Sequence, residues 1–164
     1  MNYIFFKQTF VLRFLALFFS IVFILSCDSG APKEVKEYFE SGELKSHFYL
    51  KDGKKEGEFT EYLIDGSLKT KYQFENDLQS GKTVHFYRDG KLKEVQYFVA
   101  GKRENGDTVF YPDGKIQFTT DFKEDMKHGY LRKWDENGEI FFEAKYDMDK
   151  LIEVNGVNVD DGIE

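Results

Sequence analysis

The sequence predicts an all-β fold, an elongated antiparallel meander of β-hairpins built from five 24-residue repeats, with about ten strands and almost no helix. Three observations predict it. Gly42, Gly66, Gly90, Gly114 and Gly138 recur every 24 residues, directly after Ser41, Asp65, Asp89, Asp113 and Asn137. Four residues before each glycine stands an aromatic, Tyr38, Tyr62, Phe86, Phe110 or Trp134, and two after it stands Leu44, Leu68, Leu92, Ile116 or Ile140. Eight after it comes another large apolar residue, Leu50, Phe74, Phe98, Phe122 or Tyr146. A fixed period of 20 to 50 residues marks stacked supersecondary units.

The first element, residues 1–26, reads as a secretory signal. Lys7 and Arg13 are its only charges, and FLALFFSIVFIL runs from Phe14 to Leu25. A basic start followed by about 7 to 15 apolar residues is the pattern of such signals, and 12 apolar residues fall short of the roughly 20 that a spanning helix needs. Cys27, the only cysteine, follows at once. The tetrapeptide ILSC, Ile24 to Cys27, resembles the lipobox of bacterial lipoproteins, with Leu25 bulkier than the small residue usual there. That resemblance implies cleavage before Cys27 and acylation of Cys27, which would hold the protein to a lipid bilayer at the bacterial cell envelope, inner or outer. Residues 27–35, including DSGAPKEV, are rich in turn formers and read as a tether of at most about 28 Å.

Residues 36–150 carry the repeats. A two-residue turn at each Asp-Gly would set the aromatic at minus four against plus three, which is Lys45, Lys69, Lys93, Gln117 or Phe141. A three-residue loop, a type I turn closed by a left-handed glycine, instead sets it against the Leu or Ile at plus two. That arrangement gives every hairpin an aromatic–aliphatic cross-strand pair. Pro112 suits the second position of a type I turn. Gly42, Gly66, Gly90, Gly114 and Gly138 are therefore structural turn residues. A second glycine follows 15 residues later at Gly57, Gly81 and Gly129, whereas the third repeat has Asn105 in register and Gly106 beside it. By simple alternation, minus four, plus two and plus eight share one face, and the odd offsets carry most of the charge. Stacking five hairpins makes that apolar stripe continuous. Residues 151–164 read as an acidic tail or an edge cap.

This pattern resembles the MORN repeat in its bacterial variant form. The matching elements are DGKKEG, Asp52 to Gly57, and AGKRENG, Ala100 to Gly106, each followed by an aromatic and a D-G or N-G turn. The resemblance implies a solenoid-like repeat sheet and a scaffold or binding role, or an immunity or antitoxin role toward a toxin partner. It transfers no catalytic residue, since the matching positions are turn glycines and core aromatics.

No catalytic, cofactor or metal site is expected. His47, His85 and His128 fall at three different phases of the repeat, and no GxSxG, HExxH or P-loop spacing occurs. Asp147, Asp149, Asp160 and Asp161 do not follow calcium-loop spacing. Setting aside Lys7 and Arg13 leaves 21 basic against 30 acidic residues, a net charge of about −9. Such a surface repels nucleic acid and anionic headgroups, and suits a basic protein partner. Phe39, Tyr49, Tyr87, Tyr97 and Tyr111 stand at odd offsets and are expected opposite the core face. There they either form a binding surface, where tyrosine is enriched, or pack on each other or on the tail. Two functions stay open, a lipid-anchored binding or scaffold module and an immunity protein that neutralises a basic toxin.

Overall fold

The computed structural model describes residues 30–159. The expected signal segment, Cys27 and the last five residues of the tail lie outside the described residues.

Among the described residues the chain forms one antiparallel sheet whose strands stand in sequence order without a crossover, the expected meander. The first hairpin is β1 (Lys33–Tyr38) and β2 (Leu44–Lys51). Three hairpins follow whose first strand is interrupted by a bulge: β3 (Lys54–Lys55) and β4 (Gly57–Tyr62) with β5 (Leu68–Glu75); β6 (Leu78–Gln79) and β7 (Gly81–Phe86) with β8 (Leu92–Val99); β9 (Lys102–Arg103) and β10 (Asn105–Phe110) with β11 (Ile116–Lys123). The fifth is β12 (Met126–Trp134) with β13 (Ile140–Asp147), and β14 (Lys150–Val154) and β15 (Val157–Asn158) complete the sheet. The sheet therefore begins within the expected tether, at Lys33, and takes in most of the expected tail. LIEV and VNV around the left-handed pair Asn155 and Gly156 continue the hairpin rhythm beyond the fifth repeat.

The glycine turns have the expected form. Gly90 N–H donates to Tyr87 O at 2.9 Å, Tyr87 N–H donates to Lys91 O at 2.8 Å, and Gly90 has φ 83°. The same pair of bonds closes the other four turns. Each aromatic faces the expected aliphatic residue: Tyr38 with Leu44, Tyr62 with Leu68, Phe86 with Leu92, Phe110 with Ile116 and Trp134 with Ile140.

The face assignment is corrected. Directly after each of these pairs the register shifts, so that Glu61 opposes Thr70 rather than Lys69, and His85 opposes Glu94 rather than Lys93. One extra residue at plus three reverses the alternation of everything beyond it. The pairs at minus four and plus two, such as Phe86 and Leu92, therefore lie on a first face with Val84, Val95 and Tyr97. The plus-eight residues lie on the opposite, second face, with the residues at plus four and plus six.

On the second face one row crosses the whole sheet, the pairs Val35–Phe48, Phe59–Tyr72, Thr83–Gln96, Asp107–Thr120 and Leu131–Ala144 standing side by side. This row holds half of the buried side chains among the described residues, with Thr83 0% and Ala144 1% exposed. The ring of Phe48 stacks on that of Phe59 at 4.8 Å, and Lys55 Nζ sits 4.7 Å above the Phe59 ring. Arg103 covers Phe122 at 4.0 Å and Lys127 covers Tyr146 at 4.9 Å, so a cation at plus thirteen shields the plus-eight ring of the following repeat.

The opposite end of the sheet is built from two-residue turns with both residues left-handed: Asp52–Gly53, Asn76–Asp77, Ala100–Gly101, Glu124–Asp125 and Met148–Asp149. Such turns match the twist of the strands they join. Adjacent repeats are clamped here. Asp77 N–H donates to Lys55 O at 3.0 Å while its carboxylate accepts Lys55 N–H at 2.7 Å; Asp125 and Asp149 repeat this on Arg103 and Lys127. The irregular third repeat is not a slip of register. Asn105 has φ 63° and takes the role that Gly81 and Gly129 play, since asparagine tolerates the left-handed region.

An added Cβ at Gly90 would meet nothing within 4 Å, so a substitution there tests backbone strain alone. Gly90→Val should lower stability by roughly 1 to 3 kcal/mol in denaturant melts, and Gly90→Asn by distinctly less.

Candidate functional site

The five aromatic residues expected to share one surface do not share one. Tyr49 and Tyr97, at plus seven, lie on the first face, the face of the minus-four aromatics; Tyr97 opposes Lys82 and is 41% exposed. The bulge is the cause, because it carries odd offsets after the glycine to the face of even offsets before it. Phe39, Tyr87 and Tyr111 lie outside the strands, as the first residues of glycine turns, and are half-buried. Tyr87 Oη donates to Phe110 O at 2.6 Å and Tyr111 Oη donates to Trp134 O at 2.9 Å. Both hydroxyls thus tie their turn to the strand end of the next repeat.

The middle of the second face holds a polar site that the sequence reading missed. In the row described above, the outer positions are apolar and the central ones are Thr83, Gln96, Asp107 and Thr120. Gln79 stands where the neighbouring repeats carry a shielding cation, and its amide donates to Thr83 Oγ1 at 2.6 Å. Gln96 Nε2 donates to Glu94 Oε1 at 2.8 Å and to Asp107 Oδ2 at 3.2 Å. His85 Nδ1 lies 3.0 Å from Thr70 Oγ1, and its Nε2 lies 3.4 Å from Gln96 Oε1. A polar track Thr70–His85–Gln96–Asp107 therefore crosses three hairpins. Its signal was present: the plus-six position reads Phe48, Tyr72, Gln96, Thr120, Ala144, and only the bulge-corrected register turns that departure into a cluster.

Asp107 is 7% exposed, and its Oδ1 has no hydrogen-bond partner among the described residues. Burial pushes its carboxyl up to about 6; the Gln96 amide opposes the shift, the Glu94 charge adds to it and Arg103 opposes it. Asp65, exposed at a glycine turn, goes the other way: the hydroxyl and then the N–H of Ser67, with Arg88, hold it down at about 2.

In this track a hydroxyl does meet an imidazole, Thr70 Oγ1 and His85 Nδ1, but Thr70 is only 1% exposed and out of reach of a substrate. His47 Nε2 lies 2.9 Å from Glu34 and His128 Nδ1 lies 3.1 Å from Asp147, both remote from His85 in the repeat. Among the described residues no group of three His, Cys, Asp or Glu side chains could hold a metal ion.

A single-layer antiparallel sheet of hairpins repeated every 24 residues defines a β-repeat protein. A family model described as MORN repeat variant matches residues 33–52, 79–100 and 127–148. All three matches end in a two-residue turn, at Asp52, Ala100 and Met148, two periods apart, so each covers a glycine-turn hairpin with both of its strands. The chain is a MORN-variant repeat protein. Residues 55–76 and 103–124, between the matches, fold as the same unit. No curated protein matches the chain. Repeats of this kind generally serve as non-catalytic binding or scaffolding modules.

Tyr87→Phe should cost about 0.5 to 1.5 kcal/mol, the worth of one hydrogen bond, in equilibrium unfolding. For Asp107 the raised folded value fixes the sign. The stability it contributes is fully present below its ordinary value near 4 and is lost as pH rises through about 6. Asp107→Asn should therefore be more stable than the natural chain at pH 7, by on the order of 2 kcal/mol, and equal to it near pH 4. Melts at both pH values check this.

Proposed function

We propose that this chain is a non-catalytic protein-binding module held at the bacterial cell envelope by lipid on Cys27. The observation that carries the binding half is the thickness of the sheet: among the described residues it is one layer, and none of them forms a second layer over either face. The first face offers Tyr97 and Tyr49, the amphipathic rings that binding patches favour. Tyr87 and Tyr111 are committed to joining repeats and are left out of the contact surface. The net charge of about −9 suits a basic partner and disfavours nucleic acid. The same charge fits the second reading, neutralisation of a basic toxin domain.

The anchor rests on the apolar run Phe14 to Leu25 and on ILSC. Five residues separate Cys27 from β1, which sets the first strand within about 20 Å of the lipid. Two or three acyl chains hold a protein firmly to a bilayer.

Cys27→Ala should remove the acyl mass and either release the protein from the membrane fraction or block its processing. Intact-mass measurement and fractionation of cells check this, and an unchanged mass and location would overturn the anchor. For the surface, a photoreactive residue at Tyr97 should crosslink a protein partner in whole cells, and one at the sequestered Tyr87 should not.

A further inference from the structure

We propose that two copies of this chain join edge to edge through β1, antiparallel about Val35, into one continuous sheet. Among the described residues β1 has a single neighbour, β2, so its outer edge carries unpaired N–H and C=O groups. An open edge is a template for another strand, and proteins commonly block it with charges that repel a second copy. This edge reads KEVKE, Lys33 to Glu37, an order that complements itself. Centred on Val35, antiparallel pairing sets Lys33 against the second copy's Glu37, Glu34 against its Lys36, and Val35 against its Val35, with the reciprocal pairs by symmetry. Opposite charges facing across an antiparallel pair stabilise it, and like charges destabilise it.

Backbone geometry narrows the choice. In an antiparallel ladder, residues whose polar groups point outward must meet residues that also point outward. The two registers next to this one are therefore centred on Glu34 or on Lys36. The first sets Glu34 against Glu34, and the second sets Lys36 against Lys36. Only the Val35 register is free of like-charge pairs.

The rest of the sheet agrees with it. Val35 opposes Phe48, whose ring stacks on Phe59, so Val35 is the outermost member of the buried row on the second face. Pairing about Val35 joins that row to the row of the second copy. On the other face, Lys36 Nζ lies 3.0 Å from Glu34 Oε1 of its own strand, and the dimer would turn this pair into four alternating charges. Pro32 has no N–H to donate and limits the ladder at its start. The contact is isologous, so it closes at two copies and does not grow into a filament.

The test uses the full-length chain in cells. Val35→Cys should form a disulfide-linked dimer under mild oxidation, because facing residues across such a pair come within reach of a disulfide. The natural chain, which has Cys27, gives the background, and Ser41→Cys at the first glycine turn should stay at that background. In the Val35→Cys chain, Lys33→Glu with Lys36→Glu makes the edge wholly acidic, and Glu34→Lys with Glu37→Lys makes it wholly basic. These four side chains are exposed; Glu37 accepts from Ser46 Oγ at 2.7 Å and Glu34 pairs with His47 at 2.9 Å, so a melt of each variant first establishes that it is folded at the temperature at which its dimer is read. Each reversed chain alone should lose its dimer by at least about tenfold, as like charges are brought together. Two differently tagged chains, one of each kind, should recover a mixed dimer when expressed together. A dimer that ignores charge reversal, ladders longer than two, or no crosslink at Val35→Cys would overturn the proposal.

Discussion

The fold depends on one extra residue after each glycine turn. Without it, the aromatics at minus four, the aliphatics at plus two and the large residues at plus eight would all lie on one face, and a single layer would expose a broad apolar surface to water. The bulge at plus three divides them. Phe86 and Leu92 go to one face, and Phe74, Phe98 and Phe122 go to the other. Each face then carries a narrow apolar stripe that neighbouring hairpins and long cationic side chains can cover, as Lys55 does over Phe48, Phe59 and Phe74. A one-layer sheet has no second layer to complete its core, so this division is what lets it exist.

The repeats are held to each other at three levels. In the middle, the buried row runs from Val35 to Ala144 through every hairpin. At the two-residue turns, Asp77, Asp125 and Asp149 each exchange a reciprocal pair of hydrogen bonds with the preceding repeat. At the glycine turns, Tyr87 and Tyr111 reach the strand end of the following repeat. These contacts connect nearest neighbours only, the energetic signature of a solenoid. They also explain why tyrosines that look surplus to a core can be structural: a side chain outside one hairpin's core is still available to the next hairpin.

The repeat is least regular where it is most polar. Gln79 replaces a shielding cation, Gln96 replaces an aromatic, and Asp107 is buried with one oxygen unpaired. Departures from an otherwise consistent pattern concentrate at functional or strained positions. Here they lie side by side around one pH-sensitive carboxyl, which makes the centre of the second face chemically distinct from both ends. The edges differ as well: β15 is two residues long, whereas β1 offers six residues with a self-complementary charge order.

The sequence by itself determined the period, the left-handed glycine at each turn, the aromatic–aliphatic pair across it and the meander, because all of these follow from contacts within a few residues of one glycine. It also made the MORN-variant pattern legible. The tertiary structure alone decided which face each residue occupies. Lys45, Lys69 and Lys93 look like ordinary strand residues, and only pairing with the facing strand shows that they are skipped. That single skip moved Tyr49 and Tyr97 to the face of the minus-four aromatics, and placed Phe98 opposite them. It also gathered His85, Gln96 and Asp107, from three strands, into one polar track. A period of two residues fixes a side chain's face only until the first bulge, and a bulge is a property of two strands together.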